Sequence, residues 1–194
     1  MIIAQSTLKM GYISARFAFD SGSSPSISPP GALANDEAAW NGSVFVPRQR
    51  SSTRLGLANQ TTTLTTYTDI ADLNVTINRI GLYTFEYYLL YESSAITEGA
   101  GFQVAYSGTA AGVDYALNMF IDATNQAPIS VRSSFAGGQP PQAAGPGPSP
   151  AIAYISGSFN ATSVGVLSAQ VRAESGGANS VTVRIGSWGR VYAQ

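Results

Sequence analysis

The feature that most constrains the fold is the alternation of large side chains along residues 82–92. Successive side chains of a strand point to opposite faces, so the odd positions share one face. That face carries Tyr83, Phe85, Tyr87, Leu89 and Tyr91, and the even face carries Leu82, Thr84, Glu86, Tyr88, Leu90 and Glu92. A strand with apolar residues on both faces is buried on both sides, or it presents one face to another subunit. The segment predicts a long strand of this kind.

The period of two continues along the chain from about residue 60, and no helical period appears there. In 167–173 the residues predicted to face inward are Leu167, Ala169, Val171 and Ala173, and in 181–185 they are Val181, Val183 and Ile185. The Gly-rich residues 175–179 between them predict a hairpin turn. Many short strands separated by turn signals are typical of a sandwich or barrel. We therefore expect an all-β, antiparallel β-sandwich over residues 60–194.

The first 59 residues lack a sustained period, and they contain a Ser/Pro/Gly-rich run at 21–31. Residues 34–40 predict one or two helical turns, and Val44 to Pro47 predict a short edge strand that the proline ends. Two interpretations stay open for residues 1–59. They form an N-terminal arm that becomes ordered on another surface, or an irregular first strand with loops packed on the same domain. Residues 136–150, rich in Pro and Gly, predict a long loop.

The chemistry open to this chain is narrow, because it has no cysteine and no histidine and only 11% charged residues. A Ser-His-Asp triad, a thiol nucleophile and a zinc site with Cys or His ligands are excluded. Glu86 and Glu92 share a strand face but stand roughly 20 Å apart, too far for a glycosidase pair. Asp69 and Asp72 flank a predicted turn, where a solvated turn is favoured over a Ca²⁺ site. We predict no enzyme activity, no catalytic residues, no metal and no cofactor.

Two consecutive tyrosines, Tyr87 and Tyr88, point to opposite faces and cannot both fill one core. Tyrosine is favoured at subunit interfaces, so one ring of the pair is expected to enter one. We assign Tyr87, Tyr88 and Phe120 to a predicted subunit interface. The alternative for Tyr88 is a platform on which a carbohydrate stacks.

Basic residues outnumber acidic ones in residues 1–59, five against three, although the whole chain has a net charge of -1. If the segment docks on an acidic surface, the candidate contacts are Arg16, Arg48, Arg50 and Arg54. The net charge gives no argument for nucleic acid. No apolar run of 18 residues and no signal peptide are present, so we expect no membrane partner.

Three segments of the chain carry a resemblance to a known family. The segment 83–102 (YTFEYYLLYESSAITEGAGF) resembles a recurrent stretch of tailed-bacteriophage virion proteins, in which an aromatic strand leads into a Ser-Ala-x-Thr-x-Gly loop and a strand that begins with Phe. Residues 181–192 (VTVRIGSWGRVY) resemble the last hairpin of that family, and residues 167–174 resemble its penultimate strand. The resemblance covers residues 60–194.

The resemblance implies a jelly-roll sandwich similar to tumour-necrosis-factor and C1q heads, and a homotrimer built through the aromatic strands. It implies a capsid decoration (cement) protein on the outside of a phage head, made in the host cytoplasm and bound to the major capsid protein. The alternative is the receptor-binding tip of a tail or head fibre that recognises host glycans through exposed aromatic residues and residues 136–150. The family has no catalytic residues to carry over.

Overall fold

The computed structural model describes residues 6–9, 12–15, 36–40, 45–56, 58–120, 128–135 and 144–194, and for 6–50, Phe120 and 128–132 it describes the backbone alone. These residues form strands, turns and irregular segments, with no helix among them. The strands are β1 (Ser6–Lys9), β2 (Tyr12–Ala15), β3 (Asp36–Trp40), β4 (Phe45–Arg54), β5 (Gln60–Thr62), β6 (Thr68–Ile77), β7 (Gly81–Ser93), β8 (Ala100–Tyr106), β9 (Ala110–Phe120), β10 (Pro128–Ser133), β11 (Ala151–Ala161), β12 (Gly165–Ala173), β13 (Val181–Val183) and β14 (Trp188–Ala193).

The strands assemble into antiparallel sheets. A large sheet has the order β10-β9-β11-β7-β14-β4-β3, and β13 joins it by pairing with β7 and β5. A small sheet has the order β6-β12-β8, and β1 pairs with β2 alone. Every pairing between these strands is antiparallel. The predicted all-β, antiparallel class is therefore confirmed.

The two larger sheets share one apolar core, to which β7 contributes its odd residues. Tyr83, Phe85, Tyr87, Leu89 and Tyr91 are at most 3% exposed, as the alternation predicted. They meet the inward residues of the small sheet, where Tyr91 packs edge-to-face on Phe102 with ring centroids 5.0 Å apart. Burying each such side chain contributes about 1.5–3 kcal/mol. The inward residues predicted for 167–173 are also fully buried.

The turn after β12 differs from the prediction, because residues 175–179 do not close a hairpin. β12 pairs with β6 and β8, whereas β13 pairs with β5 and β7, so the turn crosses from the small sheet to the large one. A buried carboxylate binds the start of this turn. Glu98 Oε1 accepts hydrogen bonds from the backbone N–H groups of Glu174 (2.9 Å) and Ser175 (3.1 Å).

Two predictions for the first 59 residues are wrong, and both concern strands at one edge of the large sheet. Asp36–Trp40 is strand β3 rather than a helical turn, because pairing with β4 overrides its local preference. β4 passes through Pro47 and continues to Arg54. At Pro47 the strand pairs with β3, and its pairing with β14 begins only at Arg50, so the missing N–H is tolerated.

Two further segments complete the comparison with the sequence. Ile185 was predicted to face inward, but it lies in the turn between β13 and β14 and is 46% exposed. Of the predicted loop 136–150, residues 136–143 lie outside the described part of the chain, and residues 144–150 form no strand. β4 belongs to the same sheet as the strands beyond residue 60, which places residues 45–54 in the body of the domain.

Candidate interaction face

The even residues of β7 lie on the side of the large sheet that is turned away from the core, and register places their neighbours in rows across the strands. Tyr88 lies opposite Tyr154 of β11 on one side and Trp188 of β14 on the other. The next row holds Ser156, Glu86 and Arg190, and the third holds Ser158, Thr84 and Tyr192. We call this surface the outer face. Its four aromatic side chains, Tyr88, Tyr154, Trp188 and Tyr192, are all partly exposed.

The centre of the outer face is a stacked pair of rings. Tyr88 and Trp188 stack with centroids 5.9 Å apart and an interplanar angle of 11°. The guanidinium carbon of Arg190 lies 4.6 Å from the centroid of the Trp188 ring, a cation–π contact. The stack holds three large side chains in fixed positions, so the entropy cost of ordering them against a partner is already met.

A carboxylate lies beside this stack. Glu86 Oε2 accepts a hydrogen bond of 3.1 Å from the hydroxyl of Tyr154. Arg190 lies 3.7 Å from Glu86 Oε1, an ion pair longer than a hydrogen bond, between side chains that are 48% and 26% exposed. Burial raises the pKa of Tyr154, and the hydrogen bond and charge of Glu86 raise it further. Tyr154 therefore acts as a neutral donor at ordinary pH.

A groove of about 390 Å³ runs between β4 and β14 at one side of the outer face. We call it the arginine groove, and it is lined by Ser52, Thr53, Arg54, Gly186, Trp188, Gly189 and Arg190. Arg54 lies opposite Trp188 in the register and is exposed. Thr53 pairs with Gly189, and its hydroxyl oxygen lies on the core side of the sheet, near the ring of Tyr87. The groove thus combines two guanidinium groups with an indole ring and the hydroxyl of Ser52.

The predicted interface residues take different places. Tyr87 is fully buried in the core of its own chain, whereas Tyr88 is partly exposed on the outer face, so the two rings do point to opposite sides. Tyr88 is therefore the ring of the pair that is available to a partner. Phe120 is the last residue of β9 and pairs with Pro128, and its side chain lies outside the described structure.

The predicted docking arginines are only partly brought together. Arg48, Arg50 and Arg54 occupy even-numbered positions of β4, with Ser52 between the last two. Arg50 pairs with Tyr192 of the outer face. The side chains of Arg48 and Arg50 are not described, and Arg16 lies outside the described residues. Arg54 is joined in the groove by Arg190, which the sequence reasoning missed.

The other outer-face residues that were missed are Trp188 and Tyr154. The signal for Trp188 and Arg190 was present as a further alternation in residues 188–192, where Gly189 and Val191 are buried and the residues between them are not. Tyr154 follows the same rule in β11, between the buried Ala153 and Ile155. Their meeting with Tyr88 depends on strand order, which alternation alone does not give.

The acidic residues of the described chain are placed as follows. Glu92 forms an ion pair of 2.7 Å with Arg184, and Glu86 is held as described above. Asp69 and Asp72 lie within β6 rather than beside a turn, and Asp69 Oδ1 accepts a hydrogen bond of 2.7 Å from Gln170. Within the described ranges, no three residues of the types His, Cys, Asp and Glu group together to hold a metal ion. No helix with the length and apolarity of a membrane span occurs in this part of the chain.

No protein-family model matches the chain, and no curated protein matches it significantly.

Proposed function

We propose that this chain is a virion structural protein: a homotrimeric capsid decoration protein that binds the outside of a tailed-phage head and stabilises it. The observation that carries the proposal is the outer face, an aromatic surface on the flank of a sheet whose opposite side forms the core. Interfaces are enriched in Tyr, Trp and Arg, and single chains rarely expose large apolar patches. Tyr88, Tyr154, Trp188 and Tyr192 fit a surface that a second copy covers.

The trimer and the jelly-roll topology come from the resemblance of residues 60–194 to phage virion proteins. The antiparallel sheets with a shared core are compatible with that fold. In a closed trimer each subunit gives one surface and receives another. The mixed character of the outer face, with Glu86 and Arg190 among aromatic rings, suits such a heterologous contact, because both signs of charge are offered to the neighbour.

Attachment to the capsid is assigned to Arg16, Arg48, Arg50 and Arg54. Three of these arginines belong to β4, a strand of the large sheet, so the contact would be made by the body of the domain as well as by the residues before it. The partner is the major capsid protein, through acidic residues on its outer surface. A protein that binds only the assembled shell stabilises that shell by mass action. The site of action is the virion exterior, without nucleic acid, membrane, cofactor or enzyme activity.

The test is thermal. Heads that lack this protein are heated with and without added wild-type protein, and rupture is followed by the accessibility of the packaged DNA to a dye. We expect the protein to raise the rupture temperature, and the charge-removing variant Arg54→Gln to bind less. Arg79→Gln, which lies in the β6–β7 turn, serves as the matched control. An unchanged rupture temperature with bound wild-type protein would overturn the cement role.

The second candidate is the receptor-binding tip of a fibre that recognises host glycans. The observation that favours it is the stack of Tyr88 on Trp188 beside the arginine groove, since aromatic rings next to hydrogen-bonding side chains suit sugars. Binding of the chain to cells of the host, in the absence of capsids, distinguishes this function from decoration.

A further inference from the structure

We propose that the arginine groove between β4 and β14 binds an acidic sugar, whose carboxylate is held by Arg54 and Arg190. This inference rests on the glycan-binding candidate, in which Trp188 and Arg190 face the ligand instead of a second copy of the chain. The groove of about 390 Å³ falls in the range of small-ligand sites. The assignment of an acidic sugar comes from three features: the geometry around the Arg190 guanidinium, the positive charge of the lining, and the pairing of β4 with β14 beneath the groove.

Arg190 is prepared to receive an anion. Its guanidinium lies over the indole of Trp188, and a stacked guanidinium keeps all its N–H groups in one plane. Glu86, at 3.7 Å, is too distant to accept a hydrogen bond from it. A carboxylate can accept two parallel N–H bonds from such a fork, which is the strongest geometry that arginine offers. The ion pair with Glu86 restrains Arg190 without using up its donors.

The charge in the groove is positive. Arg54 and Arg190 both line it, and no acidic side chain belongs to the described lining. Ser52 is exposed and adds a hydroxyl. Two guanidinium groups favour an anionic ligand, and the Ser52 hydroxyl and the indole add the polar and apolar contacts that a sugar ring needs.

A peptide fits this groove less well than a sugar. Peptides that bind sheets commonly add a strand to an open edge. Within the groove the strand edges are used, because residues 50–54 of β4 pair with β14, and β14 pairs with β7 on its other side. The outer edge of β4, where β3 pairs with residues 45–49 only, lies on the far side of that strand from β14. A peptide that adds a strand would therefore pair at the outer edge of β4 and not in the groove, where only side-chain contacts are left to it.

The fluorescence of Trp188 reports occupancy directly. The chain has two tryptophans, so Trp40→Phe leaves Trp188 as the only indole. The full chain with this change is titrated with a uronate oligosaccharide and with a sialylated one, each beside its carboxyl methyl ester. The ester keeps the sugar and removes the charge. Oligoglutamate and inorganic phosphate are the two other probes, and the oligomeric mass is measured on the same samples.

We expect saturable quenching by at least one acidic oligosaccharide, and binding about tenfold weaker for its ester, as expected for the loss of a charge-assisted bond. Arg54→Gln and Arg190→Gln should each weaken binding by a similar factor, with Arg190→Lys in between because it keeps the charge but loses the fork. Arg184→Gln, whose ion pair with Glu92 lies outside the groove, is the matched control.

Other results would overturn the inference. Equal binding of the ester and the acid would show that the carboxylate is not recognised, although a glycan is bound. Equal binding of oligoglutamate or phosphate would show that the groove does not select a sugar over other anions. Absence of any saturable change would show that the groove binds none of these probes, which overturns the inference. The oligomeric mass of the same samples tests the proposed trimer separately.

Discussion

The ring of Tyr87 lies directly over Gly189, its cross-strand partner on β14. A Cβ atom at position 189 would overlap the Cε1 and Cδ1 atoms of that ring and come within 3.2 Å of the Thr53 hydroxyl oxygen. The absence of a side chain at Gly189 therefore leaves space for the ring of Tyr87, which is among the largest fully buried side chains of the core. This contact fixes β14 against β7 and, with it, the position of Trp188 next to Tyr88.

Gly189→Ala is expected to destabilise the protein by about 1–3 kcal/mol, because an overpacked core must shift a ring or a strand. The measurement is the free energy of unfolding from urea denaturation. Gly176→Ala is the matched control, since a Cβ there meets nothing closer than 3.5 Å. Equal stabilities of the two variants would show that Tyr87 does not need the space above Gly189.

Glu98→Ala is expected to destabilise the protein more than the same substitution of an exposed acid, because Glu98 is fully buried and binds the start of the turn between the two sheets. Its removal takes the carboxylate acceptor from the N–H groups of Glu174 and Ser175, of which the Glu174 N–H keeps the carbonyl of Gly99 at 3.0 Å. The expected loss is about 1.5–3 kcal/mol, the range for hydrogen bonds to a charged group. Thermal unfolding compares it with Asp72→Ala, an exposed acid in β6. A loss no larger than that of Asp72→Ala would contradict the assigned role.

Stability is expected to fall in alkaline solution. Burial raises the pKa of Tyr67 to about 12, against an ordinary value of 10.0, and raises the pKa of Tyr87 and Tyr91 as well. Below pH ~10 these tyrosines are neutral in both states and their contribution is complete. Above that pH the unfolded chain loses protons that the folded chain keeps, so the free energy of unfolding falls until the folded pKa is passed.

The tyrosine prediction is measured by urea midpoints on either side of pH ~10 and by tyrosinate absorbance. Tyr87→Phe should reduce the alkaline loss, because phenylalanine cannot ionise in the unfolded state. The same pH dependence in Tyr87→Phe and in the wild type would show that Tyr87 does not contribute to it.

The core of this protein could be predicted from its sequence because alternation is a local property. The odd residues of β7 and the inward residues of β12 follow directly from a period of two. The turn at 175–179 could not be predicted in this way. Glycines permit a tight turn, but they do not show whether the chain returns to the same sheet, and Glu98, which binds the start of that turn, is distant in sequence.

The outer face, like the core and its turn, could be predicted from the sequence only in part. Tyr88 was identified because its neighbour Tyr87 shares its size but not its face. Trp188 and Tyr154 could not be placed beside it, since nothing local says that β14 and β11 flank β7. The N-terminal strands were misjudged for a related reason: the propensity of residues 36–40 for a helix is weaker than the pairing that β4 offers.

Tyr88→Glu is expected to dissociate the proposed trimer, because an uncompensated charge would be buried at the centre of the outer face. The ring faces away from the core, so the folded state should remain, as judged by circular dichroism. Thr76→Glu, at an exposed position of β6 in the small sheet, is the matched control and should leave the assembly intact. Dissociation by both variants, or by neither, would argue against the outer face as the subunit contact.

The central claim is that the outer face joins copies of this chain, and the mass of the purified protein in solution tests it most directly. Light scattering coupled to size exclusion gives that mass without reference to shape. The account predicts three times the chain mass of 20.2 kDa for the wild type, maintained on dilution to micromolar concentration. A mass of one chain under the same conditions would contradict it.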